Sequence, residues 1–189
     1  FADGTRNPTS AWNAPSVWSV LCSAFGMTAL FRGSRIFDPE SLSSWHWLEP
    51  REVEIITGCF LLVEIAAWRT LGGFDLRFTM YGEDADLCIR ASEIGYHPMV
   101  NPAAEIIHYG GASEKLRAEK MIRLFRAKGQ LFRKHWKPAT ASVMIFLMVL
   151  GAFVKMGVHG LLRLTRIGHG KGFGEWTAIF RRRKEWTIA

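Results

Sequence analysis

The 189-residue chain holds only three cysteines, Cys22, Cys59 and Cys88, with no Cys-x-x-Cys pair. That excludes a disulfide framework and a zinc ribbon, and it suits a reducing cytoplasm. No internal repeat is present. An initiator methionine and an apolar leader are also missing from the opening Phe1-Ala2-Asp3-Gly4-Thr5, so a fragment or a processed chain is expected. Acids are scarce at one end. Residues 113–189 carry 4 Asp/Glu against 17 Lys/Arg, a net of +13, whereas residues 1–112 carry 13 against 7, a net of −6. Such a division points to an acidic working part with a basic tail, and a basic tail favours anionic lipid headgroups or nucleic acid. No recognised nucleic-acid motif accompanies the charge, so nucleic acid is not the expected partner.

What is present reads first as mixed helix and strand. Pro15 suits the first turn of a helix running to about Phe31, with Trp18, Leu21, Cys22 and Phe25 on one face. Residues 32–50 read as irregular. Their Trp45 and Trp47 either line a substrate groove or pack as loop aromatics, the commoner arrangement. Val53–Ile65 is rich in β-formers and predicts a strand, with Gly58 marking a bulge or the close approach of another backbone or ligand. After the Gly72-Gly73 turn, Glu83–Ile94 predicts an amphipathic helix stopped by Gly95, with Asp86 and Arg90 as a surface pair. Short extended pieces are expected over 98–101 and 104–109. Together these argue for an α/β sheet domain over residues 1–112.

A second architecture begins near Ser113. Residues 113–137 predict a basic amphipathic helix. Residues 138–189 contain 16 consecutive uncharged positions, 139–154, and end on Arg181-Arg182-Arg183-Lys184-Glu185-Trp186. A membrane span needs about 20 apolar residues, but Lys155 is the single Lys or Arg between Lys137 and Arg163. Membrane contact is therefore expected, by an interfacial or re-entrant helix ahead of a clean span, with a buried core helix as the alternative. Trp136 and Lys137 suit one interface, and the closing basic run with Trp186 suits a bilayer surface.

The chemistry is expected where Glu83, Asp84 and Asp86 crowd the start of their helix. Asp84 falls in the first turn, where the helix dipole favours an anion able to accept a proton. Glu83 and Asp86 point to other faces of the turn, to orient an acceptor or to tie down neighbouring loops. Capping alone would also account for three acids at a helix start.

The ordered series Gly58, Gly72-Gly73-Phe74-Asp75, Phe78, Tyr81-Gly82-Glu83-Asp84-Ala85-Asp86-Leu87-Cys88-Ile89-Arg90, Gly95-Tyr96, His108 and Gly110-Gly111 resembles the C-terminal half of glycosyltransferase family 2, nearest its rhamnosyltransferase and galactofuranosyltransferase-like branch. The likeness is strongest over residues 50–113. It implies a partial GT-A fold, a Rossmann-like mixed sheet, followed by the basic helix and an apolar, membrane-associated C-terminal helix. It implies an inverting transfer of a sugar from a nucleotide-sugar donor to a glycan or lipid-linked acceptor at the cytoplasmic face of the membrane. By this resemblance Asp84 is the catalytic base. Glu83, Asp86, Trp45, Trp47 and Tyr81 bind or orient the acceptor, and His108 ligates Mg2+ or Mn2+. The family's Asp-x-Asp, which holds the metal and the donor diphosphate, is expected upstream of Phe1, so residues 1–189 alone are expected to transfer no sugar. Glu64 and Ile65 stand where relatives often carry arginines. The alternatives are a non-catalytic membrane-associated binding module and a metal-dependent hydrolase built on Glu83, Asp84, Asp86 and His108.

Overall fold

The structure, a computed structural model, describes residues 1, 3–42, 45–109, 117–165 and 171–188. In chain order its elements are β1 (Ala11–Trp12), α1 (Val17–Ala24), α2 (Met27–Leu30), β2 (Arg51–Glu52), β3 (Ile55–Ile56), a 3-10 turn (Gly58–Phe60), α3 (Ile65–Leu71), α4 (Glu83–Glu93), β4 (Met99–Val100), α5 (Arg117–His135), α6 (Pro138–Leu164), α7 (Lys171–Arg181) and α8 (Lys184–Thr187). Two compact units emerge. The first comprises Phe1–Ala14 and Pro39–Ser113; the second comprises Pro15–Asp38 and Glu114–Ala189. Residues 15–38 thus group with the basic C-terminal helices rather than with the acidic part, because α1 packs on α6.

The first unit has two antiparallel ladders of two strands each. Ala11 and Trp12 face Ile56 and Ile55, while Arg51 and Glu52 face Val100 and Met99. The strand expected over Val53–Ile65 is therefore corrected to a single short rung at Ile55–Ile56. The ladder stops because the Gly58 N–H turns to a side chain on α4 and because Ile65–Leu71, carrying Ala66, Ala67 and Leu71, favours helix. No ladder forms over 104–109 among the described residues. Gly72 and Gly73 both adopt positive φ, at 71° and 74°, and a Cβ on Gly73 would lie 2.9 Å from the Trp68 ring. This turn requires glycine twice. It brings the chain back to α4, whose buried Ala85, Leu87 and Cys88 form its inner face.

The second unit is helical. Ser16 caps α1 through a reciprocal bond pair with Ser19, so Pro15 precedes the helix instead of opening it. Gly26, at φ 76°, splits off α2, where one continuous helix to Phe31 was expected. Trp18 and Phe25 are about half exposed, and Val20, Cys22 and Ala24 supply the buried side. The core joins Val20, Ile122, Phe132, Met144, Ile179 and Trp186. Close backbone approach sets its spacing. A Cβ on Gly151 would sit 2.7 Å from the Ala24 Cα, and one on Gly129 would sit 2.9 Å from the Trp186 carbonyl oxygen. Trp186 is wholly buried, donates its indole N–H to the Ile179 carbonyl at 3.1 Å, and meets Phe125 edge-on at 5.0 Å. That corrects its expected place at a bilayer surface. Trp136 likewise packs edge-on against Phe132, at 5.5 Å.

Helix α6 extends well past the uncharged stretch. Lys155 does not end it: its ammonium lies over the Trp176 ring at 5.1 Å. With 27 residues and a mean hydropathy of 2.1 over its most apolar 18, α6 is long and apolar enough to cross a membrane. Only 33% of that stretch is buried, and Phe146, Phe153 and Leu161 are exposed.

Candidate active site

The site forms where Ile55–Phe60 runs beside α4. Asp84 and Cys88 are four residues apart and so share one face of the helix. Both reach the same segment: the Ile56 N–H points to the Cys88 sulfur at 3.5 Å, and the Gly58 N–H donates to Asp84 Oδ2 at 2.9 Å. The second oxygen, Oδ1, accepts from the Ala85 N–H at 2.8 Å. A Cβ on Gly58 would stand 3.5 Å from the Asp84 Cβ, an ordinary contact, so the neighbour here is a side chain and not the backbone or ligand expected at this glycine. Asp84 is half-buried. Both its oxygens are oriented by backbone donors and each keeps lone-pair capacity for a further partner.

His108 also reaches this turn. Its Nε2 lies 3.5 Å from the sulfur of Cys59, the residue after Gly58. Asp84 and His108 are thereby held against neighbouring residues of one short turn. Cys59 was not anticipated at the site. Its proximity depends on a contact 49 residues away along the chain, and no local spacing signals that.

Glu83 and Asp86 part company. Asp86 is fully buried and accepts from Arg90 Nε at 2.8 Å. The other arms of that guanidinium donate to the carbonyls of Leu71 at 2.7 Å and Gly73 at 2.9 Å. The pair read as a surface ion pair is therefore a buried clamp on the glycine turn, and Asp86 ties a loop down. Glu83 is half-buried, and its Oε2 is sealed from solvent without a hydrogen-bond partner. Burial pushes its carboxyl above the ordinary range; its own backbone N–H opposes this and the charge of Asp84 adds to it.

Tyr81 adopts φ 69° and Gly82 φ 85°, so α4 is entered through two left-handed residues. For a tyrosine that conformation costs about 1–2 kcal/mol, which the surrounding packing must offset. Trp45 and Trp47 stack at 4.1 Å and pack against the small core of Ala11, Leu42 and Val53. The guanidiniums of Arg51 and Arg6 lie over their respective faces, at 5.7 and 5.3 Å. Both rings pack on one side and keep part of their surface open. Gly110-Gly111 lies outside the described residues.

Among the described residues no three His, Cys, Asp or Glu side chains gather to hold a metal ion. His108 by itself does not suit a hard cation, which takes several oxygen ligands. The four-residue metal set of a hydrolase is also not assembled, since Asp86 belongs to Arg90.

Over 64 residues, 33% of its length, the chain is 41% identical to N-acetylglucosaminyl-diphospho-decaprenol L-rhamnosyltransferase of Mycobacterium tuberculosis. Over 57 residues, 30% of its length, it is 40% identical to Rhamnosyltransferase WbbL of Escherichia coli. These stretches are 21% and 22% of the two relatives, so the chain spans about a fifth of the length of the curated proteins it matches. No protein-family profile matches the chain. No solved structure matches it either. Its similarity therefore runs, over about a third of the chain, to sugar transferases named for rhamnose.

Proposed function

We propose that this chain is the acceptor-side and catalytic portion of an inverting glycosyltransferase with a GT-A-type fold, acting at the cytoplasmic face of a membrane. The donor is a nucleotide-sugar of rhamnosyl type, and the acceptor is a glycan or lipid-linked glycan. The observation that carries the reading is the Asp84 carboxylate, half-buried in the first turn of α4 and oriented by the Gly58 N–H. The partial likeness to two rhamnosyltransferases supports it.

In this mechanism Asp84 accepts the proton of an acceptor hydroxyl. The freed oxygen pair attacks the anomeric carbon from the face opposite the leaving group. The bond from that carbon to the nucleotide diphosphate breaks, the electron pair departs with the diphosphate, and the configuration inverts. Fixed backbone donors on Asp84 remove the need to reorient it during the step. Arg90 and Asp86 hold the Gly72-Gly73 turn, and with it the approach to α4. Mg2+ or Mn2+ belongs to the proposal through His108 alone. The described residues supply no complete ligand set, so no step is routed through a metal.

The test is Asp84→Asn in the natural protein that contains this chain, assayed for sugar transfer from a nucleotide-sugar to a lipid-linked acceptor. Loss of a general base lowers kcat by about 10²–10⁴-fold. Retained donor binding with that loss supports the role; transfer at the wild-type rate removes it.

A further inference from the structure

The turn that follows α2 in the second unit presents apolar side chains and unpaired cations together. The rings of Phe31 and Trp18 gather around Phe37, at centroid distances of 4.9 and 6.5 Å, and both keep about half their surface open. Leu30 and Ile36, beside them in sequence, are 77% and 62% exposed. The turn itself is well fixed. Trp18 donates its indole N–H to the Ile36 carbonyl at 2.6 Å, and the Ser34 hydroxyl accepts from the N–H groups of Ile36 and Phe37. Gly33, at φ 79°, donates its N–H to Asp38 at 3.0 Å. Cations stand among the apolar tips. Arg32 and Arg35 are exposed, and neither has a hydrogen bond or an ion pair with any described residue. No Asp or Glu occurs from residue 4 to residue 37, and Asp38, half-buried, is engaged with the Gly33 N–H.

Exposed apolar side chains gathered in one patch mark a docking surface, whereas singly scattered ones need no explanation. We propose that residues 30–37, with Trp18, enter the headgroup region of an anionic bilayer. Trp18, Leu30, Phe31 and Ile36 reach the first acyl carbons, and Arg32 and Arg35 meet lipid phosphates. Charge complementarity selects this occupant. The arginines attract anionic headgroups, and their long stems let the guanidiniums stay at phosphate level while the apolar tips sink. An apolar protein groove would strand both guanidiniums, and a second copy docked turn against turn would bring like charges together. The inference rests on the membrane location within the functional reading and adds the element that makes the contact. It is independent of the catalytic role of Asp84.

The natural protein that contains this chain is co-sedimented with phosphatidylcholine vesicles, with and without phosphatidylglycerol. Arg32→Gln combined with Arg35→Gln is expected to weaken binding to the anionic vesicles by about tenfold or more, at about fivefold for each charge near such a surface. Binding to the neutral vesicles should barely change. Leu30→Ser and Ile36→Ser, which remove apolar surface and no charge, are each expected to weaken binding to both kinds of vesicle by about tenfold. Leu76→Ser and Arg69→Gln remove an exposed leucine and an exposed arginine from the first unit, and both are expected to bind like wild type. Unchanged thermal unfolding of each variant shows that the fold is intact. Turn variants that bind no worse than these two controls would overturn the proposal and leave the protein membrane-bound by another element. A wild-type dimer in sedimentation equilibrium that Ile36→Ser dissociates would also overturn it, in favour of self-association. Wild-type protein that binds no vesicle at all would remove the membrane location itself, a failure distinct from the other two.

Discussion

In the first unit the turns are pinned by charged groups bonding to backbone: Asp84 to the Gly58 N–H, Glu54 to the Ala14 N–H, and Arg90, seated on Asp86, to the carbonyls of Leu71 and Gly73. In the second unit charged groups also reach backbone, Asp38 to the Gly33 N–H and Arg126 to the Glu185 carbonyl, but rings and glycines set the helix packing, with Trp186 against Phe125 and with Gly151 and Gly129 admitting a neighbouring backbone. The charge follows the same division. The first unit has 12 Asp/Glu and 5 Lys/Arg, and the second has 5 and 19. A fold pinned by carboxylates keeps oriented anions near the surface, which is what proton-transfer chemistry requires. A fold packed by apolar side chains leaves its cations to line the outside, which suits an anionic interface.

The most damaging way to probe this contrast in the first unit is Arg90→Ala. It leaves Asp86 fully buried without its guanidinium and frees two carbonyls of the glycine turn. Removing one partner of a buried pair costs about 3–5 kcal/mol. Urea unfolding with amide hydrogen exchange should show that loss, with protection falling in α3 and α4. A loss below about 1 kcal/mol would mean that the turn is held by something other than the clamp.

The matched substitution in the second unit is Trp186→Ala. Truncating a fully buried indole costs about 3–5 kcal/mol through lost transfer free energy and the cavity left behind. Exchange protection is expected to fall in α5 and α8. Salt is expected to change neither cost much, since the Asp86–Arg90 pair is buried and screening acts on exposed charge; a strong salt dependence for Arg90→Ala would mean that the pair opens to water.

Much of the site was legible because its signals are local. Gly72-Gly73 marks a turn, Glu83 opens a helix, Gly95 closes it, and Asp84 in the first turn follows from those three. The long α6 was legible from its lack of charge, although Lys155 hid its full length. What was not legible depended on distant partners. The Asp86–Arg90 spacing is the same for a surface pair as for a buried clamp, and only the Leu71 and Gly73 carbonyls distinguish them. Val53–Ile65 is rich in β-formers, yet the bond that the Gly58 N–H donates to Asp84 ends the ladder after Ile56. Trp186 stands in a basic run that reads as surface, while its own ring is among the most buried in the chain.

The smallest effect, and the one that divides the acids of the first unit most finely, belongs to Glu83. Its Oε2 is buried without a partner, so its charge is a burden where that of Asp86 is matched. Its folded carboxyl stands above the ordinary 4.5, so the folded chain holds a proton that the unfolded chain has already lost. Stability therefore falls as pH rises from about 4.5 through the raised folded value, and the deficit persists above it. Glu83→Gln has the same shape and no charge to desolvate. It is expected to be more stable than wild type at neutral pH, within the roughly 0.5–1 kcal/mol of a substitution that removes no packing, and equal to it in acid below the ordinary value. Thermal unfolding across that pH range reads the difference. A Glu83→Gln variant less stable at neutral pH would show that this carboxylate, like that of Asp86, is matched by a positive partner in the folded chain.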